Sequence, residues 1–236
     1  MLSIWKRELQ GYFFTPVGYV FMGVFLTLSS VIFFLTIMQT RSSDLLSFIG
    51  TMGYLWMLLC PVLTMRLLAE EKQRRTDQLL LTSPVSLPGI VLGKYLSAVT
   101  VMALTVLLTG LFVLIVAIYG KVYPGELLVG YLGFVLQGCA FIALDLFISS
   151  AASNQVTAAV ASFGVNFLLW MLDLLQSAIN IDWVNKLLSF FSLYERTEPF
   201  LMGQLSFASV GYDIAFAAAF ILLTIHRMDS RRYRGA

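Results

Sequence analysis

Residues 90–118, IVLGKYLSAVTVMALTVLLTGLFVLIVAI, contain a single charged residue, Lys94. About 20 mostly apolar residues cross the hydrocarbon core of a bilayer, so this run is long enough to span it with length left over for tilt or protrusion. Five further apolar runs follow the same rule, at 17–38, 48–68, 127–150, 155–176 and 209–226. Backbone groups in lipid must pair within the segment, and none of the six runs has the alternation of barrel strands, so all six are expected to be helices. The chain as a whole agrees: 236 residues are 59% hydrophobic and only 12% charged, too few charges to cover a soluble domain of that size. The expected fold is all-α, a polytopic membrane protein of six transmembrane helices forming one domain over residues 1–236.

Composition also narrows the function. A formal net charge of +2 does not favour nucleic acid as a partner. A single histidine, His226, excludes clusters built from several histidines. Cys60 and Cys139 both lie inside apolar runs and read as small packing residues rather than a disulfide or metal pair. The opening residues, MLSIWKRELQGYFF, carry charge after a short apolar start, with no small-residue cleavage site following, unlike a secretory signal.

Orientation follows from lysine and arginine. With the N-terminus inside, eleven of the 15 basic residues fall on the inner side, Lys94 among them, and four fall outside: Arg41, Lys121, Lys186 and Arg196. Both termini are thus expected in the cytoplasm, as for a multi-pass protein of the bacterial inner membrane. Within residues 1–15, Leu2, Trp5, Leu9, Tyr12 and Phe13 share one helical face while Lys6, Arg7, Glu8 and Gln10 lie elsewhere, which predicts an interfacial amphipathic helix on the inner leaflet. Pro16 then suits the first turn of span one. On the outer side, residues 177–208 are apolar but broken by Asp182, Lys186, Glu195, Arg196 and Pro199; Ile181, Val184, Leu188 and Phe191 recur at helical spacing and predict one or two outer amphipathic helices.

The region 69–89 interrupts the apolar pattern. AEEKQRRTDQLLLTSPVS, residues 69–86, holds six ionisable residues between Glu70 and Asp77, which excludes it from the bilayer. Glu70 with Arg74 and Glu71 with Arg75 have i,i+4 spacing with the acid first, each pair worth about 0.2–0.5 kcal/mol. Span two is therefore expected to continue as a helix past Arg66 into the cytoplasm. Leu79, Leu80 and Leu81 follow, and Ser83-Pro84 stops the helix because the residue before proline is pushed out of the α region. Pro88-Gly89 marks a second break before span three. On physical grounds the leucines serve equally as a docking element for a soluble partner or as a contact with the lipid interface.

EEKQRRTDQLLLTSPVSLPGIVLGKYLSA resembles the segment between spans two and three of type-2 ABC transporter permeases, where two glutamates lead through a Gly-Thr and an acidic position to leucines, TSPVS and a Gly-Lys. KRELQGYFFTPVGYVFMGVF is similar to the opening helix and first span of that family. FFSLYERTEPFLMGQLSFASVGYDIAFAAAFILLTIHRMDSRRYR resembles the end of permeases related to the gliding-motility ABC system. The resemblance implies a permease subunit of an ABC exporter that binds no cofactor itself. It would pair with a second permease copy or a relative, and with separate ABC ATPase subunits carrying ATP and magnesium. It further implies that Glu70, Glu71, Arg74, Arg75, Thr76, Gln78, Leu79, Leu80, Leu81 and Ser83 dock into the ATPase. The chain departs from the pattern twice: Arg75 stands where the family often has glycine, and Gln78 where it often has glutamate.

Other features carry less chemistry. Gly89-Ile-Val-Leu-Gly93-Lys94 has the outline of a P-loop but is one residue short, and Tyr95 replaces the hydroxyl ligand, so ATP is expected to bind elsewhere. No internal repeat supports an inverted-repeat transporter. Intramembrane carboxylates are functional candidates: Asp145 is expected to face Ser149, Ser150, Asn154 or a neighbouring subunit in gating or conduction, whereas Asp173 and Asp213 are expected near the outer interface in solvated or capping roles. Two rival functions stand beside transport. One is ATP-driven assembly or mechanical coupling without solute movement; the other is an intramembrane enzyme built on Asp145.

Overall fold

The computed structural model describes residues 1–75, 86–178 and 192–234. Helix α1 covers Leu2–Phe14 and α2 Pro16–Phe33, which continues as a π-helical turn over Phe34–Met38; α3 covers Leu45–Thr64, α4 Arg66–Gln73 and α5 Leu87–Tyr119. Pro124–Ala151 form α6, Gln155–Ala178 α7, Leu193–Leu201 α8 and Phe207–Arg234 α9. Six of these elements, with α3 and α4 running together, are long and apolar enough to cross a membrane, and no strand occurs among the described residues. The all-α polytopic architecture stands.

Several boundaries have local causes. Thr15 is extended between α1 and α2, and Pro16 opens α2, as expected for a residue whose missing N–H would have had no partner in a first turn. The same argument corrects the expected break at Pro88-Gly89. Both residues lie inside the first turn of α5, which begins at Leu87, because proline there removes only a donor that the helix leaves unused. Span three is thus a single 33-residue helix, roughly 50 Å long at 1.5 Å per residue. The Asp44 carboxylate accepts from Ser47 N at 3.1 Å and caps α3.

Helices α3 and α6 are buried over more of their length than the other spans. Trp56 of α3 is met edge-on by Phe21 and Phe25 of α2, both at 5.7 Å, and by Phe134 of α6 at 6.2 Å. Phe33, Phe48 and Phe112 tie α2, α3 and α5 in a second aromatic cluster. On α6, a Cβ at Gly133 would lie 2.5 Å from Phe200 Cβ, so glycine is what lets α8 sit against the span. Cys60 and Cys139 are free thiols, Cys60 fully buried.

The two ends of the bundle differ. Ile4 near the N-terminus packs with Leu87, Ile90 and, near the C-terminus, Met228, so both ends of the chain reach the same end of the bundle. Helix α8 lies at the opposite end, against the first halves of α3 and α6. It is the described part of the predicted outer segment; residues 179–191, with Ile181, Val184, Leu188 and Phe191, lie outside the described residues.

Candidate functional site: a buried ion cluster beside the cassette

Helix α1 turns most of its predicted apolar face inward: Tyr12 is buried and Leu9 and Phe13 pack against the core, while Leu2 stays exposed. Ile4 and Tyr12 are its buried residues, and Glu8 stands midway between them on the same i,i+4 stripe. Leu2 is 77% and Phe14 86% exposed, leaving apolar surface suited to a bilayer interface. The stripe packs against α5, where Gly93 admits Ile4: a Cβ there would come within 3.2 Å of Ile4 Cβ. Trp5 Nε1 donates to Thr100 Oγ1 at 3.0 Å, two turns further along α5. The Tyr12 hydroxyl donates to the Leu63 carbonyl at 2.8 Å; burial pushes this phenol up, so it stays a donor. Arg66 lies over the Tyr12 ring at 5.1 Å and donates to Thr15 Oγ1 at 3.2 Å.

The apolar stripe tolerates Glu8 because Lys94 reaches it. Lys94, the one charge in 90–118, is 1% exposed. Its ammonium lies 3.1 Å from Glu8 Oε1 on α1 and 2.8 Å from Glu71 Oε1 on α4. Arg7 Nη2 approaches the same two oxygens at 3.1 and 3.4 Å. Two acids and two bases thus form a neutral ring that joins three helices. A buried ammonium without partners would cost several kcal/mol, which is the constraint that fixes this geometry. Gly89 to Lys94 is helical throughout, and its lysine is spent on this ring.

Within the cassette, Glu70 pairs with Arg74 at 2.7 Å as its spacing implies, and with Arg66 at 3.3 Å. Glu71 turns instead to Lys94 and Arg7. The helix cannot bring Arg75 to Glu71, because α4 ends at Gln73 and Arg75 adopts φ 56°. That is the left-handed position after a helix C-cap, where glycine is favoured. Arg75 therefore occupies a glycine-type conformation. Thr76, Gln78, Leu79, Leu80, Leu81 and Ser83 lie outside the described residues.

Behind the cassette, the α3–α4 junction is held by α6 and α7. Pro61 lies within α3 and has no N–H to give the Met57 carbonyl; Asn166 Nδ2 supplies a donor there at 3.4 Å. Ser149 inserts into the helix at the junction. Its hydroxyl accepts from Leu68 N and Ala69 N at 3.3 and 3.2 Å and donates to the Met65 carbonyl at 3.3 Å, a recognised cause of a helix break. Lys72 Nζ and Gln73 Oε1 complete the clamp with Ala152 O at 2.7 Å and Gln155 N at 3.3 Å. Asp145, 0% exposed, accepts at Oδ2 from Thr64 Oγ1 and Asn166 Nδ2, both at 3.4 Å. Ser149 thus lies on the cassette rather than on Asp145, whose described partners come from α3 and α7.

The other two carboxylates also differ from expectation. Asp213 is 1% exposed and buried rather than solvated. Asp173 accepts from the hydroxyl of Ser192, which itself caps α8 by accepting from Glu195 N at 3.0 Å; the aspartate braces a cap instead of forming one.

A family model described as ABC-2 family transporter protein matches residues 24–226. No curated protein matches the chain.

Two outcomes are expected from this geometry. Lys94→Met should leave Glu8 and Glu71 without their buried counter-charge and lower stability by roughly 3 kcal/mol, the lower end for one partner of a buried pair because both glutamates keep some solvent contact; thermal unfolding in nanodiscs measures this, and an unchanged midpoint would contradict it. Arg75→Gly should raise stability by about 1 kcal/mol by relieving the left-handed backbone, read in the same assay.

Proposed function

We propose a function from one premise: the chain belongs to the ABC-2 transporter family, and is a membrane-embedded permease component of an ABC transporter. In the finer reading, the end of the bundle that carries both termini faces the cytoplasm, as the distribution of basic residues suggests, and the membrane is the inner membrane of a bacterial cell. A separate ABC ATPase, binding ATP and magnesium, docks on the cassette from Glu70 to Ser83. Two permease chains and two ATPase chains complete an exporter.

The observation that carries the coupling is the Lys94 ring. Glu70 and Glu71 belong to the proposed docking region, yet their carboxylates face Arg66, Arg74, Lys94 and Arg7 of the same chain. Glu71 holds the cassette to α1 and α5 while Glu70 braces α4 internally, so the role of Glu71 is to transmit force while Leu79, Leu80 and Leu81 provide the grip. A push on the leucines moves α4, and α4 moves α1 and α5 with it. The α3–α4 junction is the flexing point, and Asp145 takes part in gating by tying that junction to α7.

Co-expression with an ABC ATPase encoded beside this chain should give a stable complex. Leu79→Asp or Leu80→Asp should weaken it by about 2 kcal/mol or more, roughly thirtyfold, while membrane insertion is retained. Co-purification measures this, and an undiminished yield of ATPase with either variant would contradict docking through these leucines.

A further inference from the structure

At the end of the bundle opposite the termini, α3, α6, α7 and α8 line an open cavity of about 560 Å³, within the usual range of roughly 300–1,000 Å³ for small-molecule sites. Its described lining includes Tyr54, Gln137, Asp173, Tyr194, Glu195 and Glu198, and no basic residue. The nearby Arg196 is directed elsewhere, over the Tyr212 ring of α9 at 5.3 Å.

Three observations mark this as a built site. Gln137 is 3% exposed, lines the cavity, and has an amide nitrogen with no hydrogen-bond partner among the described residues. A buried amide donor left unsatisfied is costly, so the arrangement favours a molecule that receives it. Asp173 Oδ2 and the Tyr194 hydroxyl are buried and unpartnered in the same way. Finally, Tyr54 and Tyr194 stack face to face, with centroids 4.9 Å apart and planes 13° apart, forming an aromatic wall beside the carboxylates.

The donor set selects the ligand. Carboxylates beside aromatic faces favour a cation, and a large, weakly hydrated ammonium gains most from ring faces. Gln137 Nε2 and the Tyr194 hydroxyl require an acceptor oxygen on the same molecule. We propose that this cavity binds an ammonium compound that carries an ester, carbonyl or phosphate oxygen a few bonds from the nitrogen. A lipid headgroup and a soluble amphiphile both present that chemistry.

Acetylcholine is a suitable probe, with 3,3-dimethylbutyl acetate as its uncharged isostere and tetramethylammonium as the cation without the oxygen. Calorimetric titration of the chain in phosphatidylglycerol nanodiscs, which contain no ammonium group, should show saturable acetylcholine binding. The uncharged isostere should bind at least about tenfold more weakly. Gln137→Met and Tyr194→Phe should weaken acetylcholine binding severalfold while leaving tetramethylammonium unchanged, a pattern that misfolding would not produce. Asp173→Asn, which preserves the bond from Ser192, should weaken both cations. Suppression of acetylcholine binding by added phosphatidylethanolamine identifies the headgroup as the source; undiminished binding identifies a soluble compound. No saturable binding, or equal binding of acetylcholine and its isostere, would overturn the proposal. Because the titration needs no ATPase, its failure is separable from failure of the docking reading.

Discussion

Lys94 has its ammonium buried in the interior of a membrane protein, and the arrangement of α1, α4 and α5 follows from keeping that charge paired. Helix α5 supplies the charge and lets α1 approach through Gly93. Helix α1 supplies Glu8 from the middle of its otherwise apolar stripe. Helix α4 supplies Glu71, and Arg7 closes the ring so that it is neutral. Desolvation of Lys94 makes the ring strict: an exposed pair of these residues would be worth at most about 1 kcal/mol, whereas removing the glutamates would leave the buried ammonium uncompensated. The described start of the cassette is therefore anchored to the short helix α1 and to the third span rather than suspended between spans two and three.

That anchoring gives the break between α3 and α4 a mechanical meaning. A continuous helix would carry any displacement of α4 straight into α3. Here Pro61 removes one rung of the ladder and Ser149 enters another, while Asn166 and Ser149 satisfy the backbone groups thus released. The break thus leaves no carbonyl stranded at Met57 or Met65, where each would cost several kcal/mol in a membrane interior. Asp145 of α6 joins the same region to α7 through Thr64 and Asn166.

Much of the fold was legible in the sequence because span length and apolar continuity are one-dimensional properties. The six helices, Pro16 at the start of α2 and the Glu70–Arg74 pair all follow from spacing along one element. The site was less legible because it is made between elements. Glu8 reads as part of a polar face until Lys94, 86 positions away, is known to lie opposite it. One signal was available: a lysine five residues into an otherwise uncharged span must find an acid. Asn166 could have been foreseen from Pro61, which frees a carbonyl in a membrane helix, but the sequence does not say which neighbour answers. The extended start of α5 was missed because Pro88-Gly89 reads as a break, although proline is at home in a first turn. Arg75 showed only as a departure from a familiar pattern, and its left-handed backbone is one that favours glycine.

The central claim is that α1, α4 and α5 move as one body when the ATPase acts. Ile4 and Gly93 allow a direct measurement, because a Cβ at Gly93 would lie 3.2 Å from Ile4 Cβ, a small adjustment from the roughly 3.5–4.5 Å of a disulfide. Ile4→Cys and Gly93→Cys would be combined with Cys60→Ala and Cys139→Ala, and ATP hydrolysis by the reconstituted permease–ATPase complex compared before and after reduction. If the three helices form one body, the oxidised cross-link leaves hydrolysis unchanged. A loss of hydrolysis on oxidation that reductant restores would show that α1 must part from α5 during the cycle, and would contradict the claim.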